Sequence, residues 1–320
     1  MNAQWARRFL PAGSLAALLF WLPVRAGVPT HPDSTAQQDH SRMAAHQQDS
    51  PGNLDANSDS TRINTTRFAI VGGTLLGGMT AIHFYQMNGW WKDNRRSFHF
   101  REDLIYGMSV DKLGHFYGGA VLTFIFSKSL RWANFSEPGA RWWGAGASLL
   151  FQTYVELEDG FSTWGFDRVD WATDVAGAFY PVAQYYVPVL QNFNVKFSYH
   201  PSELLSSGAG IGFRGQKHIV FDDYEGQTIW LSANIHNLLP ERLQSYWPAW
   251  LCLAVGYGAR NVGTAHPYRV YFLALDLDVT KILPANSGFF QTLGEALNYI
   301  HLPMPAVRVE PGTIWYGLYF

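Results

Sequence analysis

The feature that most constrains this chain is a change of apolar period near Gln191. From Phe68 to Leu190, apolar, glycine and aromatic residues recur at helical spacing, and four segments read as helices at about 66–88, 110–132, 140–158 and 169–191. After Gln191 the period drops to two. Val195, Phe197 and Tyr199 alternate with Lys196, Ser198 and His200, and Ile229, Leu231, Ala233 and Ile235 alternate with Trp230, Ser232 and Asn234. Tyr271, Leu273, Leu275, Leu277 and Val279 make a third face, and 251–257 and 314–320 add two more candidates. Runs of helices followed by runs of strands define an α+β chain. The expected architecture is an N-terminal four-helix, membrane-associated bundle followed by a C-terminal antiparallel β-sheet or partial barrel. About six short strands are fewer and shorter than a membrane-crossing barrel needs. A short helix is expected at 295–300.

The N-terminus reads separately. Arg7 and Arg8 precede an apolar stretch from Phe9 to Leu22, and Val24-Arg25-Ala26 offers small residues to a signal peptidase, so 1–26 read as a signal peptide. Residues 27–64 are rich in His, Gln, Asp, Ser and Asn with little to bury, and read as a disordered linker. The bundle then covers 65–192 and the β domain 193–320. Export to the periplasm or an outer-membrane-associated place in the cell envelope follows. The single cysteine, Cys252, forms no internal disulfide. With 15% charged residues and a net charge of -2, the chain has no electrostatic reason to approach nucleic acid. A membrane or lipid is the expected partner, since the first helix is apolar enough to span or half-span a bilayer and Trp90, Trp91, Trp132, Trp142 and Trp143 fall at helix ends.

Polar residues on such helices stand out. Asp111 and His115 are four apart, as are Asp170 and Asp174, so each pair shares a helix face. Glycines follow at Gly118 and Gly177, leaving bare backbone where a neighbouring helix can approach. Gln152, Glu156 and Asp159 form one stripe on the third helix. An up-and-down bundle brings all six of Asp111, His115, Glu156, Asp159, Asp170 and Asp174 to one end, and these are the candidate catalytic residues. The connection carrying Lys92, Arg95, Arg96, His99 and Arg101 falls at the same end and is expected to roof the acids with positive charge.

Three readings of the cluster stand open. It can be a structural latch of caps, ion pairs and a satisfied core histidine. It can be a catalytic or metal site, with Asp111, His115, Glu156 and Asp170 as ligands of a divalent metal cofactor, or with crowded carboxylates supplying general acid and base. It can bind an anionic lipid or partner without chemistry. No Ser elbow, P-loop or dinucleotide glycine pattern suggests a covalent or nucleotide mechanism.

Taken in order, Asp111-Lys-Leu-Gly-His115-Phe-Tyr-Gly-Gly, Glu156-x-x-Asp159-Gly160-Phe-Ser, and Asp170 with Asp174 and Gly177 resemble the YfiM-like family of predicted periplasmic (lipo)proteins, a domain of unknown function. The helical half is also loosely similar to VanZ-like membrane proteins. Lys196-Phe-Ser-Tyr-His-Pro-Ser202, Asp223-Tyr-Glu-Gly-Gln-Thr-Ile-Trp-Leu-Ser232, Ala254-Val-Gly-Tyr-Gly258 and Trp315-Tyr-Gly-Leu-Tyr-Phe320 are similar to the long Bacteroidetes-type form. The resemblance implies an envelope protein and names no reaction. It leaves two functional expectations: a structural or ligand-binding envelope module associated with a membrane, and a membrane-interface hydrolase acting on a lipid or other envelope amphiphile.

Overall fold

A computed structural model describes residues 62–88, 91–92, 94–203, 223–262, 264–284 and 287–320. The expected signal peptide, and the linker as far as residue 61, lie outside the described residues. Four long helices come first: α1 (Thr65–Asn88), α2 (Val110–Trp132), α3 (Glu137–Gly160) and α4 (Arg168–Tyr186). Six strands follow: β1 (Phe193–Tyr199), β2 (Gln227–Ala233), β3 (Leu251–Arg260), β4 (Tyr268–Leu277), β5 (Met304–Glu310) and β6 (Ile314–Tyr319). They pair antiparallel in sequence order into one sheet that does not close into a barrel. Helix α5 (Gly288–Leu297) lies between β4 and β5.

Local chemistry explains the helix starts. Ser136 caps α3 by accepting the Gly139 N–H, with Pro138 in the first turn, and Asp167 caps α4 by accepting from Val169 and Asp170. Helix α4 stops at Tyr186, earlier than expected, because Pro188 opens a separate 3₁₀ turn at 188–192.

Helices α2, α3 and α4 pack closely on one another, whereas α1 buries only Val71. Close approach of α2 to α4 depends on two glycines. A Cβ on Gly177 would stand 2.1 Å from the Phe116 carbonyl oxygen, and one on Gly119 would stand 2.7 Å from the Ala178 nitrogen. Gly118, expected for this role, has its nearest neighbour at 3.7 Å. Gly119, one residue on, makes the contact instead.

The sheet has the two faces that period two requires, but its tighter core lies on the more polar one. Trp230, Ala254, Val270, Phe272, Ala274 and Ala306 form the buried cluster, and Trp230 rests on the bare backbone of Gly256. Buried with them are Lys196, Asp276 and His301. Lys196 Nζ lies 2.6 Å from Asp276 Oδ2, and His301 Nδ1 lies 3.0 Å from Asp276 Oδ1. His301 stacks on Trp230 at 4.0 Å. These pairings satisfy charges that could not otherwise be buried.

On the opposite face one apolar row crosses all six strands through successive register partners: Val195, Leu231, Val255, Leu273, Val307 and Trp315. Leu231 is 47% exposed, Val255 53%, Leu273 48% and Trp315 81%. The bundle covers only one end of this face. There Tyr117 stacks on Phe197 at 5.4 Å, and the Tyr257 hydroxyl donates to the Met108 carbonyl.

Candidate functional site

The predicted gathering at one end of the bundle is present, but it is organised around a cation the sequence reading did not single out. Lys112, in the first turn of α2, points its ammonium among four carboxylates: Asp103 at 2.7 Å, Asp167 at 2.8 Å, Asp170 at 2.9 Å and Asp111 at 3.2 Å. Its side chain is 7% exposed. Burial opposes its charge, yet Asp111 and Asp170 outweigh that and raise its pKa. Asp167 serves twice, as the α4 cap and as a partner of Lys112.

One turn along α2, His115 occupies the second half of the cluster. Its Nδ1 is 2.9 Å from Asp174 Oδ1 and 3.7 Å from Glu156 Oε1, and its Nε2 is 3.9 Å from Asp170 Oδ2. Gln152 donates to Asp174 Oδ1 and, at 3.1 Å, to the His115 carbonyl. Glu156 Oε2 accepts the Asp167 N–H at 3.2 Å. Burial works against a charged His115, but the hydrogen bond to Asp174 and the surrounding carboxylates raise its pKa to about 10. Burial pushes Glu156 up to about 9 and Asp111 up to about 7, in both cases against a neighbouring cation. It also raises Asp103, Asp170 and Asp174. Asp167 alone is lowered, since Lys112 and backbone N–H groups overcome its burial.

Five of the six candidates, Asp111, His115, Glu156, Asp170 and Asp174, therefore meet. The sixth, Asp159, accepts the Trp91 indole N–H at 2.6 Å at the edge of the cluster, where its charge helps to raise Glu156. The four expected metal ligands divide: Asp111 and Asp170 contact Lys112, whereas His115 and Glu156 stand with Asp174. The segment carrying the basic residues does run along the end of α3, with the N–H groups of Arg96 and His99 bonding to the carbonyls of Phe161 and Gly160. Two of its cations are used elsewhere: Arg95 pairs with Glu158 at 2.8 Å, and Arg101 donates to the Thr163 carbonyl. The interfacial tryptophans divide as well, for Trp91 is buried at 1% exposure whereas Trp142 and Trp143 stand out at 51% and 68%.

Sequence reading missed Asp103, Lys112 and Asp167. Lys112 sits inside the Asp111–His115 motif, and Asp167 stands three residues before Asp170 where a helix cap belongs, so both left a signal. A cleft of about 340 Å³ at the opposite end of the bundle is lined by Lys128, Arg141, Gln184 and Glu295 among others. These four are committed to the fold: Lys128 pairs with Glu295, Arg141 with Glu137, and Gln184 donates to the Leu190 and Phe193 carbonyls.

In comparisons with known proteins, no family model, no curated protein and no solved structure matches the chain.

Proposed function

We propose that the protein is an exported envelope module that associates with a membrane, with a ligand site in its helical bundle. The observation that carries this reading is the apolar row across the outer face of the sheet, together with an α1 that is almost wholly uncovered. Contiguous apolar surface of that kind on one face marks a lipid or partner contact. Helix α1 is the one described helix long and apolar enough to cross a bilayer. Its 24 residues extend about 36 Å at 1.5 Å per residue, against roughly 30 Å of hydrocarbon. Phe68, Ile70, Leu76, Ile82, Phe84 and Tyr85 are exposed along it. The signal-like N-terminus and the resemblance to predicted periplasmic proteins support a membrane of the cell envelope. Washing isolated membranes with alkaline carbonate tests the embedding of α1: the protein stays with the membrane pellet, and its release into the supernatant overturns an embedded helix.

A second reading, hydrolysis of an envelope amphiphile, is favoured by the chemistry around His115, which is 26% exposed beside two buried carboxylates. Glu156, raised to about 9, holds a proton at neutral pH and can act as a general acid. Turnover of lipid substrates that is lost in His115→Ala at unchanged melting temperature supports an enzyme. A large fall in stability with no effect on any ligand supports a latch.

A further inference from the structure

We propose that His115, Glu156 and Asp174 bind one divalent cation of the zinc or manganese kind at the open side of the buried cluster. This rests on the reading of the bundle as carrying a ligand site, and it is independent of the membrane half of that reading.

Three observations carry it. One donor atom from each of the three residues lies within 4.8 Å of the others, and His115 Nδ1 stands 2.9 Å from Asp174 Oδ1 and 3.7 Å from Glu156 Oε1. A cation with metal–ligand bonds of about 2.0–2.2 Å holds its donors no more than about 4.4 Å apart, so these two pairs already fit one ion. A second acidic triad, Asp103, Asp167 and Asp170, is as compact, but the Lys112 ammonium fills it.

The second observation is an uncompensated polar group. The Asp174 side chain is 0% exposed, and its Oδ2 has no hydrogen-bond partner. Asp170 Oδ1 and Asp111 Oδ1 are likewise buried without partners. Six acids of the cluster face one lysine and one histidine, so acidic groups outnumber cationic partners, and three of their buried oxygens are left without a hydrogen bond. A divalent cation supplies what is lacking.

The third is support around the donors. Glu156 is held through Oε2 by the Asp167 N–H, which leaves Oε1 toward His115, and Gln152 orients Asp174 and the His115 backbone. His115 Nε2 lies 3.9 Å from Asp170 Oδ2, beyond hydrogen-bonding distance, and that oxygen is held by Lys112. One imidazole and two carboxylates, with no thiolate, suit zinc or manganese, and the partial exposure of His115 leaves room for water at the remaining positions.

The test uses the full chain, purified in detergent without a His tag, stripped with EDTA and dialysed against zinc or manganese in separate samples. The expected result is about one retained ion per chain by elemental analysis, with retention falling about tenfold or more in Glu156→Gln and Asp174→Asn and unchanged in Asp103→Asn. Gln at 156 keeps the acceptor for the Asp167 N–H, so that variant decides the matter if Asp174→Asn does not fold. Wild-type protein that retains neither ion, or a folded Glu156→Gln that retains as much as wild type, overturns the site. Because carbonate extraction reads membrane association separately, failure here and failure there are distinguishable.

Discussion

Lys112 Nζ lies 2.9 Å from Asp170 Oδ2, an oxygen that also stands 3.9 Å from His115 Nε2. That carboxylate joins the two halves of the cluster. The lysine half ties the start of α2 to the start of α4, and the histidine half carries the groups able to meet a ligand. On the proposed reading, latch and ligand site are neighbouring parts of one constellation.

Removing the latch cation exposes the difference. Lys112→Met leaves four carboxylates around an apolar side chain and is expected to cost about 3–5 kcal/mol in denaturant unfolding of the detergent-solubilised protein. Lys92→Ala, on an exposed residue, changes stability by less than about 0.5 kcal/mol. Equal effects of the two would remove Lys112 from the centre of the cluster.

The raised groups give a pH dependence of definite sign in metal-free protein. A carboxyl raised on folding binds its proton more tightly in the native state, so Glu156, raised to about 9 from 4.5, weakens the fold progressively as pH rises through that interval. His115, raised to about 10 from 6.5, contributes stability that is complete below 6.5 and lost as pH rises through 10. Both act in one direction. The melting temperature in EDTA is expected to fall between pH 5.5 and 9, and Glu156→Gln flattens the fall. A rising melting temperature over that range contradicts the assignment.

At the α2–α4 crossing, Gly177→Ala forces a methyl against the Phe116 carbonyl and is expected to cost about 1–3 kcal/mol. Gly118→Ala meets nothing closer than 3.7 Å and is tolerated. Thermal melts of the two variants side by side check this, and a reversed order would mean that α2 and α4 cross elsewhere.

The sheet's faces separate folding from membrane contact. Phe272→Ala opens the inner core and is expected to cost about 3–5 kcal/mol. Leu273→Lys, the next residue on the exposed face, leaves the detergent-solubilised fold nearly unchanged and weakens flotation with lipid vesicles. Unaltered flotation of Leu273→Lys together with a loss of fold would show that this face is covered by protein.

Helix spacing made the bundle and the meeting of Asp111, His115, Glu156, Asp170 and Asp174 legible, because residues four apart must share a face and antiparallel helices must share ends. Lys112 was obscured because a lone lysine beside an aspartate looks solvated until the turn carrying Asp103 and the cap Asp167 fold over it. Period two marked the strands but could not say which face was inside. Trp230, Phe272 and Val270 stand among serines, alanines and glycines on the inner face, while Leu231, Val255 and Leu273 point outward. Strand β5 was hidden by Pro303 and Pro305, which read as a helix end, yet Pro305 sits at a register shift between Met304 and Ala306, an irregularity of the kind that accommodates a missing N–H.

Site-directed labelling of Val255→Cys in protein reconstituted into vesicles tests membrane contact most directly. The native Cys252 is buried, with its thiol pushed up to about 11, and stays unreactive. A nitroxide on residue 255 is expected to collide more with oxygen dissolved in lipid than with a water-soluble nickel complex. Preferential collision with the nickel complex, on protein that remains folded, would contradict a lipid-facing sheet.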